Sequence, residues 1–189
     1  MHHREMLITF ARALSGSTLA TIRRGDGVVL ELPGYDRKHR VPHDLAHAVT
    51  ERELAMTGGV FGTIAGGGVF ENMRVVSGRP RHDAAERSKR LLAANKQSLG
   101  IAELLAGVVH DAVEHDERST LERARRSWGV FSTDPFPWTD EQIAATVAVL
   151  DELAVEYQAT GKVVFTWPDR LISQVPAMAT AKRGRRGRL

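Results

Sequence analysis

The chain has 189 residues, of which 42% are hydrophobic and 26% are charged, so its length and composition suit one globular domain with a sizeable core. It contains no cysteine, which excludes a disulfide framework, a thiolate zinc site and a cysteine nucleophile. The sequence has no run approaching the roughly 20 apolar residues of a membrane span and no N-terminal apolar segment of signal-peptide length, so we expect a cytoplasmic protein.

Three short β-rich segments open the chain. They cover residues 6–13, 17–23 and 28–32, and the last alternates apolar and polar side chains as a half-buried strand does. Between the second and third segments, Asp26-Gly27 supplies the positive backbone torsions of a tight hairpin turn. We therefore predict a three-stranded antiparallel meander at the N-terminus.

Helical patterns dominate the middle of the chain, over residues 42–56, 83–95, 101–115 and 139–160, with a shorter glycine-rich helix inside 57–70. Capping-box spacing begins two of these helices, at Asp83 and at Thr139. On the helix over 101–115, apolar residues trace one side, and His110 lies opposite them between Glu103 and Glu114. We expect His110 to have a structural role.

The last third of the chain adds an aromatic segment and one more strand. Residues 128–138 hold four of the eleven aromatic residues, and we predict that they pack as a buried loop rather than stack a ligand. Residues 163–167 are typical of a strand, which we expect to join the meander at a sheet edge because Pro168 follows it. The prediction is one α+β domain over residues 1–176, with a small antiparallel sheet packed against about five helices.

The net charge of +3 comes from the end of the chain. Residues 1–181 carry 21 basic and 23 acidic groups, and the last eight residues carry five cations: Lys182, Arg183, Arg185, Arg186 and Arg188. We predict a disordered basic tail over residues 177–189. Such a tail either aids solubility or engages nucleic acid weakly and without reading its sequence, through phosphate contacts.

The segment VPHDLAHAVTERE, residues 41–53, carries the strongest chemical pattern. On a helix, His43, Asp44, His47 and Glu51 fall within one arc of 100°, nearly opposite the apolar residues. The spacing of the histidines is that of the H-E-x-x-H zinc helix, in which the pair binds one ion and a carboxylate acts on water. A metal site, a polar ligand pocket, a hydrogen-bonded structural cluster and a solvated face are all compatible with this pattern.

If the site is catalytic, His43 and His47 hold a divalent ion such as zinc, and Glu51 or His82 completes the ligand set. Asp44 then orients a ligand or serves as the base for water, so Asp44 and Glu51 are the candidate catalytic residues. A second cationic segment, residues 74–90, is compatible with an anion-binding surface at the start of the helix that begins at Asp83. Because Asp83 and Glu86 occupy the position that an anion would take, we expect a solvated helix face instead.

The run LPGYDRKHRVPHDLAHAVTERELAMTGGVFGTIAGGGVFENMRVVSGRPRHD, residues 32–83, resembles a family of uncharacterised proteins from high-GC bacteria. The resemblance extends over roughly residues 7–128. It implies a compact bacterial domain, and because that family has no established activity it implies no catalytic roles. Our hypothesis is a small-ligand or divalent-metal-binding domain with a hydrolase-like site on the helix bearing His43. The alternative is a non-enzymatic interaction module whose basic tail engages nucleic acid.

Overall fold

A computed structural model describes residues 5–34 and 39–177 of the chain. Its elements follow in the order β1 (Met6–Arg12), β2 (Thr18–Arg23), β3 (Val29–Gly34), α1 (His43–Glu53), α2 (Val60–Ala65), β4 (Arg74–Ser77), α3 (Ala84–Ala94), α4 (Lys96–His115), α5 (Thr120–Phe131), α6 (Asp140–Thr160), β5 (Lys162–Trp167) and a 3-10 turn (Asp169–Leu171). The predicted α+β fold is confirmed.

The five strands form one antiparallel sheet in the order β4-β3-β2-β1-β5. The predicted meander forms its centre, and β5 pairs with β1 at one edge, with Met6 opposite Trp167. The turn between β2 and β3 is closed by the bond from the backbone nitrogen of Arg24 to the oxygen of Val28, with Gly27 at φ 84°. The β4 strand was not predicted, because all four of its residues are exposed and no apolar alternation marks it.

The main hydrophobic core lies between one face of the sheet and four helices, α1, α2, α4 and α6. Alternate residues of the central strands, such as Ile8, Phe10 and Ile22, are fully buried there. On α1, Leu45 and Val49 meet them. This face of α1 is apolar, so burial in the core directs the opposite, polar face of the helix toward its other neighbours.

A second, smaller core lies where α4, α5 and α6 meet, and it contains Ile101, Leu105 and Val108 from the predicted apolar side of α4. Val109 and Val113, from the same side of α4, lie in the main core. The aromatic residues Trp128, Phe136 and Trp138 pack against it, with the two indole ring centroids 5.6 Å apart. Residues 128–131 lie in α5 rather than in the predicted loop. No helix was predicted at α5 because Ala124 is its one buried residue, so an apolar stripe is missing.

Helix ends follow the predicted chemistry in α6 but not in α3. Thr139 and Gln142 form the complete capping box, and α6 ends at Gly161 in the left-handed region with φ 69°. At α3, by contrast, the Asp83 side chain makes no capping hydrogen bond. Its carboxylate accepts a hydrogen bond from Arg81 instead, so the predicted capping box there is wrong.

Within residues 5–34 and 39–177, no helix has both the length and the apolar character needed to cross a membrane. The cytoplasmic location stays a prediction. Residues 178–189, which include the five cations of the predicted tail, lie outside the described residues. Nucleic-acid binding through that tail therefore also stays a prediction.

Candidate metal centre

The segment before α1 is tied to the end of α4, which positions the first turn of α1. The backbone nitrogens of Arg40 and Val41 donate hydrogen bonds to the Glu114 carboxylate, at distances between 3.0 and 3.3 Å. Pro42 follows as the N-terminal boundary residue of α1 with φ −62°, a torsion that its ring enforces and that suits a helix start. His43 is therefore the first helical residue and faces α4.

The polar arc of α1 is covered rather than solvated. The exposed fraction of His47 is 3% and that of Glu51 is zero, because α4 and α2 pack over this side of the helix. His43, at the start of the arc, keeps 35% of its side chain exposed. One end of the arc thus meets solvent while the other is enclosed.

Glu51 holds its position by accepting hydrogen bonds from the start of α2. The backbone nitrogens of Val60 and Phe61 donate to its two oxygens, at 2.8 and 2.9 Å. The Nδ1 atom of His47 lies 3.1 Å from Oε1 of the same carboxylate. Both oxygens of Glu51 accept hydrogen bonds from the backbone, so Nδ1 of His47 is the donor in this third contact.

The remaining ring nitrogen of His47 faces a residue from another helix. Glu103, in α4, places Oε2 at 3.0 Å from Nε2 of His47 and Oε1 at 3.4 Å from Nε2 of His43. The rings of His43 and His47 meet edge to face, with centroids 5.0 Å apart. One carboxylate from α4 therefore bridges both histidines of the H-x-x-x-H pair.

The donor atoms of His43, His47 and Glu103 all lie within 4.8 Å of one another, which makes this set the candidate for a metal ion among the described residues. Two ligands bound at about 2.0 to 2.1 Å to a tetrahedral zinc ion are separated by about 3.3 Å. The separations from Glu103 are close to this value, at 3.0 Å from Oε2 to Nε2 of His47 and 3.4 Å from Oε1 to Nε2 of His43. They involve different oxygens, so the Glu103 carboxylate would have to turn for one of its oxygens to meet the same ion as both histidines.

When no metal ion is bound, a protonated His47 links Glu51 and Glu103 through its two ring nitrogens. Burial alone would lower the pKa of His47, but hydrogen bonds to Glu103 and Glu51 outweigh it and raise the pKa of His47 to about 10. Hydrogen bonds from His43 and His47 hold the pKa of Glu103 well below its usual range. His47 is consequently an imidazolium between two carboxylates at neutral pH.

Asp44 lies beside the cluster and is half-buried. Burial raises its pKa, although the neighbouring charges of His47 and His43 act in the opposite direction. None of residues 5–34 and 39–177 donates a hydrogen bond to its carboxylate. The Asp44 carboxylate is desolvated, accepts no hydrogen bond from these residues and lies beside two imidazoles, so it can accept a proton.

His110 forms the back of the cluster. Its Nε2 atom donates a hydrogen bond to the backbone oxygen of Val41 at 3.0 Å, and its ring centroid lies 5.3 Å from that of His43. Burial lowers the pKa of His110, so the ring is neutral and is directed at a carbonyl rather than at an ion. This contact agrees with the structural role predicted from sequence, although His110 is buried and not on a solvated face.

The structure brings together two of the four predicted site residues as ligand donors, His43 and His47. Glu51 contacts His47 from the far side of its ring, and Asp44 stands next to both histidines. His82 does not belong to the donor cluster. The third donor, Glu103, was not selected from the sequence. The available signal was the polar strip that Glu103 forms with His110 and Glu114 on the non-apolar side of α4.

No family model matches the chain, and no curated protein or solved structure matches it. The resemblance of residues 32–83 to a family from high-GC bacteria therefore stays a prediction. The geometry of the cluster is the basis on which a function can be assigned.

Proposed function

We propose that the protein binds a divalent metal ion, with zinc as the best fit, through His43, His47 and Glu103, and that the site has hydrolase chemistry. One observation carries the proposal. Three ligand-type side chains from α1 and α4 converge within 4.8 Å, and a carboxylate supports one of them from behind. Histidine and carboxylate donors suit zinc, and two histidines with one glutamate form a donor set of catalytic zinc sites.

Glu51 is the supporting partner that such a site needs. A metal-binding histidine almost always donates its second ring N–H to a carboxylate, a carbonyl or water, which fixes the tautomer and the orientation of the ring. Glu51 accepts the Nδ1 proton of His47 and is itself held by two backbone N–H groups. His47 therefore presents Nε2, its other nitrogen, toward His43 and Glu103 without a change of rotamer.

The electrostatics of the cluster also favour a cation. Three carboxyl groups, those of Asp44, Glu51 and Glu103, surround the two imidazoles in one small volume. A divalent ion at the Nε2 atom of His47 would replace the proton that the two glutamates now stabilise. The exposed sides of His43 and Glu103 leave a path from solvent to that position.

A zinc ion with three protein ligands keeps a fourth position for water and lowers the pKa of that water to about 7. Asp44 follows the first histidine directly, which is the place of the general base in the H-E-x-x-H pattern. Its raised pKa brings it closer to the working pH of a base, and its carboxylate has no hydrogen-bond donor among the described residues. We assign Asp44 the role of accepting the proton from water.

The test is zinc binding by the full-length protein. The purified chain is saturated with zinc, dialysed and analysed for metal, beside His43→Ala and a His82→Ala control that removes an exposed histidine outside the cluster. We expect one zinc per chain in the parent and in His82→Ala, and loss of zinc in His43→Ala. A parent protein that retains no zinc, or equal retention by both variants, would overturn the proposal.

A further inference from the structure

A cavity of about 460 Å³ lies apart from the cluster of His43, His47 and Glu103 and shares no residue with it. Its walls are the turn between β2 and β3, the end of α2, the start of α3 and the segment that follows the 3-10 turn. The volume lies within the roughly 300–1,000 Å³ typical of sites for small molecules. Three arginines, Arg24, Arg81 and Arg87, line it.

Arg24 is the unusual member of this lining. Only 5% of its side chain is exposed, and its Nε and Nη2 atoms donate to the two oxygens of Asp26, at 3.2 and 2.7 Å. Its third nitrogen, Nη1, is buried and has no acceptor among the described residues. Buried polar groups in proteins nearly always have a hydrogen-bond partner, so Arg24 is a cation beside the cavity whose hydrogen-bonding capacity is only partly used.

Arg81 and Arg87 bring further donors to the same space. Arg81 pairs with Asp83 through Nε alone, at 3.0 Å, and 60% of its side chain is exposed. Arg87 contributes Nη2 to the backbone oxygen of Gly66 at 3.3 Å. Because guanidinium groups carry five N–H donors each, both residues keep donors for a ligand. Sequence alone placed these two arginines on a solvated helix face and gave no reason to join Arg24 to them.

The cavity wall is made from backbone that is fixed in place. Gly67 adopts φ +111°, a torsion that disfavours a side chain, and an added Cβ would lie 3.8 Å from Nε of Arg87. The segment opposite is held by the bond from the backbone nitrogen of Ser173 to the oxygen of Gly62, at 3.0 Å. Arg90 also donates to the backbone oxygen of Pro176. These bonds preorganise the cavity, which lowers the entropic cost of binding.

We propose that this cavity binds a small phosphorylated metabolite, with Arg81 and Arg87 contacting the phosphate group. Planar guanidinium groups match the geometry of phosphate oxygens and bind them through paired hydrogen bonds. Two acidic residues, Asp26 and Asp169, also line the cavity. They favour a ligand that carries hydroxyl groups beside its phosphate, because a carboxylate accepts hydrogen bonds from hydroxyls and repels a bare polyanion.

Calorimetric titration of the full-length protein with glucose 6-phosphate, glucose, inorganic phosphate and pyrophosphate tests this inference. The variants are Arg81→Gln and Arg87→Gln, and Lys89→Gln serves as the control because it removes one exposed cation from α3 outside the cavity. A second control replaces the five tail cations with glutamine. Titrations run with and without EDTA, so that phosphate binding by a metal ion is recognised.

We expect saturable binding of glucose 6-phosphate, weaker binding of inorganic phosphate and pyrophosphate, and none of glucose. Affinity should fall at least tenfold in Arg81→Gln and in Arg87→Gln and stay within twofold of the parent in both controls. Unchanged melting temperatures of the ligand-free variants exclude misfolding as the cause. The inference is overturned if glucose 6-phosphate does not saturate or binds no more tightly than inorganic phosphate and pyrophosphate. It is also overturned if the two cavity variants bind like the parent, or if only the tail variant loses binding.

Discussion

Glu51 accepts a hydrogen bond from His47 one helical turn before it, with 3.1 Å between Oε1 and Nδ1. The same carboxylate accepts two backbone N–H groups at the start of α2 and is fully buried. The Glu51 side chain therefore both orients His47, a candidate metal ligand, and holds the start of α2 against α1. Changes at Glu51 should affect both metal affinity and stability.

Replacing Glu51 with glutamine tests that coupling. The amide keeps the size of the side chain but cannot accept three hydrogen bonds as a carboxylate does. We expect zinc affinity to fall by ~10–100-fold, as is usual when the outer partner of a metal-binding histidine is lost. The free energy of unfolding should fall by ~1–3 kcal/mol, because buried donors lose an acceptor.

Glu53→Gln is the matched control for Glu51→Gln. Glu53 lies on the same helix, but its carboxylate pairs with Arg52 and is 31% exposed. Competition titrations with a zinc indicator and urea denaturation measure the two quantities. A Glu51→Gln protein with parental affinity for zinc would contradict the role given to Glu51.

Glu103→Gln separates ligation from folding. The Glu103 side chain is 64% exposed, so its removal should change the free energy of unfolding by no more than ~1 kcal/mol. Because Glu103 is a proposed direct ligand, Glu103→Gln should lower zinc affinity by more than the ~10–100-fold expected when an outer partner is lost. Zinc titration with circular dichroism as the folding control measures both effects, and retained zinc binding would remove Glu103 from the ligand set.

Gly59→Ala should displace the Glu51 carboxylate, which supports His47, although Gly59 itself does not belong to the metal cluster. An added Cβ would lie 2.3 Å from Cδ of the buried Glu51 carboxylate, so one of the two must move. Overpacking of this kind costs ~1–3 kcal/mol, and the displaced carboxylate should also weaken zinc binding.

Gly129→Ala in α5 is the corresponding control, because nothing lies within 4 Å of an added Cβ there. Helix propensity predicts that it stabilises the protein by ~0.5–1 kcal/mol. Urea denaturation compares the two variants, and equal stability changes would show that Gly59 does not meet Glu51.

Metal-free protein should depend on pH through the same cluster. The pKa of His47 is raised from 6.5 to about 10, so its contribution to stability is complete below pH 6.5 and is lost as pH rises through about 10. The pKa of Glu103 is lowered from 4.5, so its contribution is present above pH 4.5 and is lost as pH falls through the lowered pKa. Both contributions to stability are therefore complete between pH 4.5 and pH 6.5.

The difference in unfolding free energy between the parent and His47→Gln isolates this effect from other titrating groups. In EDTA, the difference should be larger at about pH 5.5 than at about pH 9.5. Zinc affinity should change in the opposite direction and rise with pH, because the ion displaces a proton from His47. A stability difference that is independent of pH would show that His47 is not an imidazolium in the folded protein.

Asp44→Asn should stabilise the protein while removing its chemistry. Burial raises the pKa of Asp44, which means that ionisation of this carboxylate costs stability in the fold. Asparagine avoids that cost, so the melting temperature at neutral pH should rise or stay level. If Asp44 is the base of a hydrolase, the rate of zinc-dependent hydrolysis of chromogenic esters should fall by ~10²–10⁴-fold with zinc content unchanged. Parental activity in this variant would exclude that role.

Local sequence determined most of the elements, because their signals are short-range. The hairpin at Asp26-Gly27, the capping box at Thr139 and the apolar side of α4 each depend on residues within a few positions of one another. Elements that lack such local signals cannot be predicted from the sequence. The exposed β4 strand and the polar α5 helix form because neighbouring strands and helices offer them partners, which no local pattern records.

The sequence also determined that His43, His47 and Glu51 share one side of α1, since helical periodicity requires it. It did not decide whether that side meets water or protein. Packing decided this, because the apolar side of α1 turns to the sheet and α4 then covers the polar side. Glu103 lies 56 residues from His47 in the chain, and Arg24 lies 57 residues from Arg81 and 63 from Arg87. Only the tertiary structure brings these charged groups together, because contacts between distant elements depend on how the whole core packs.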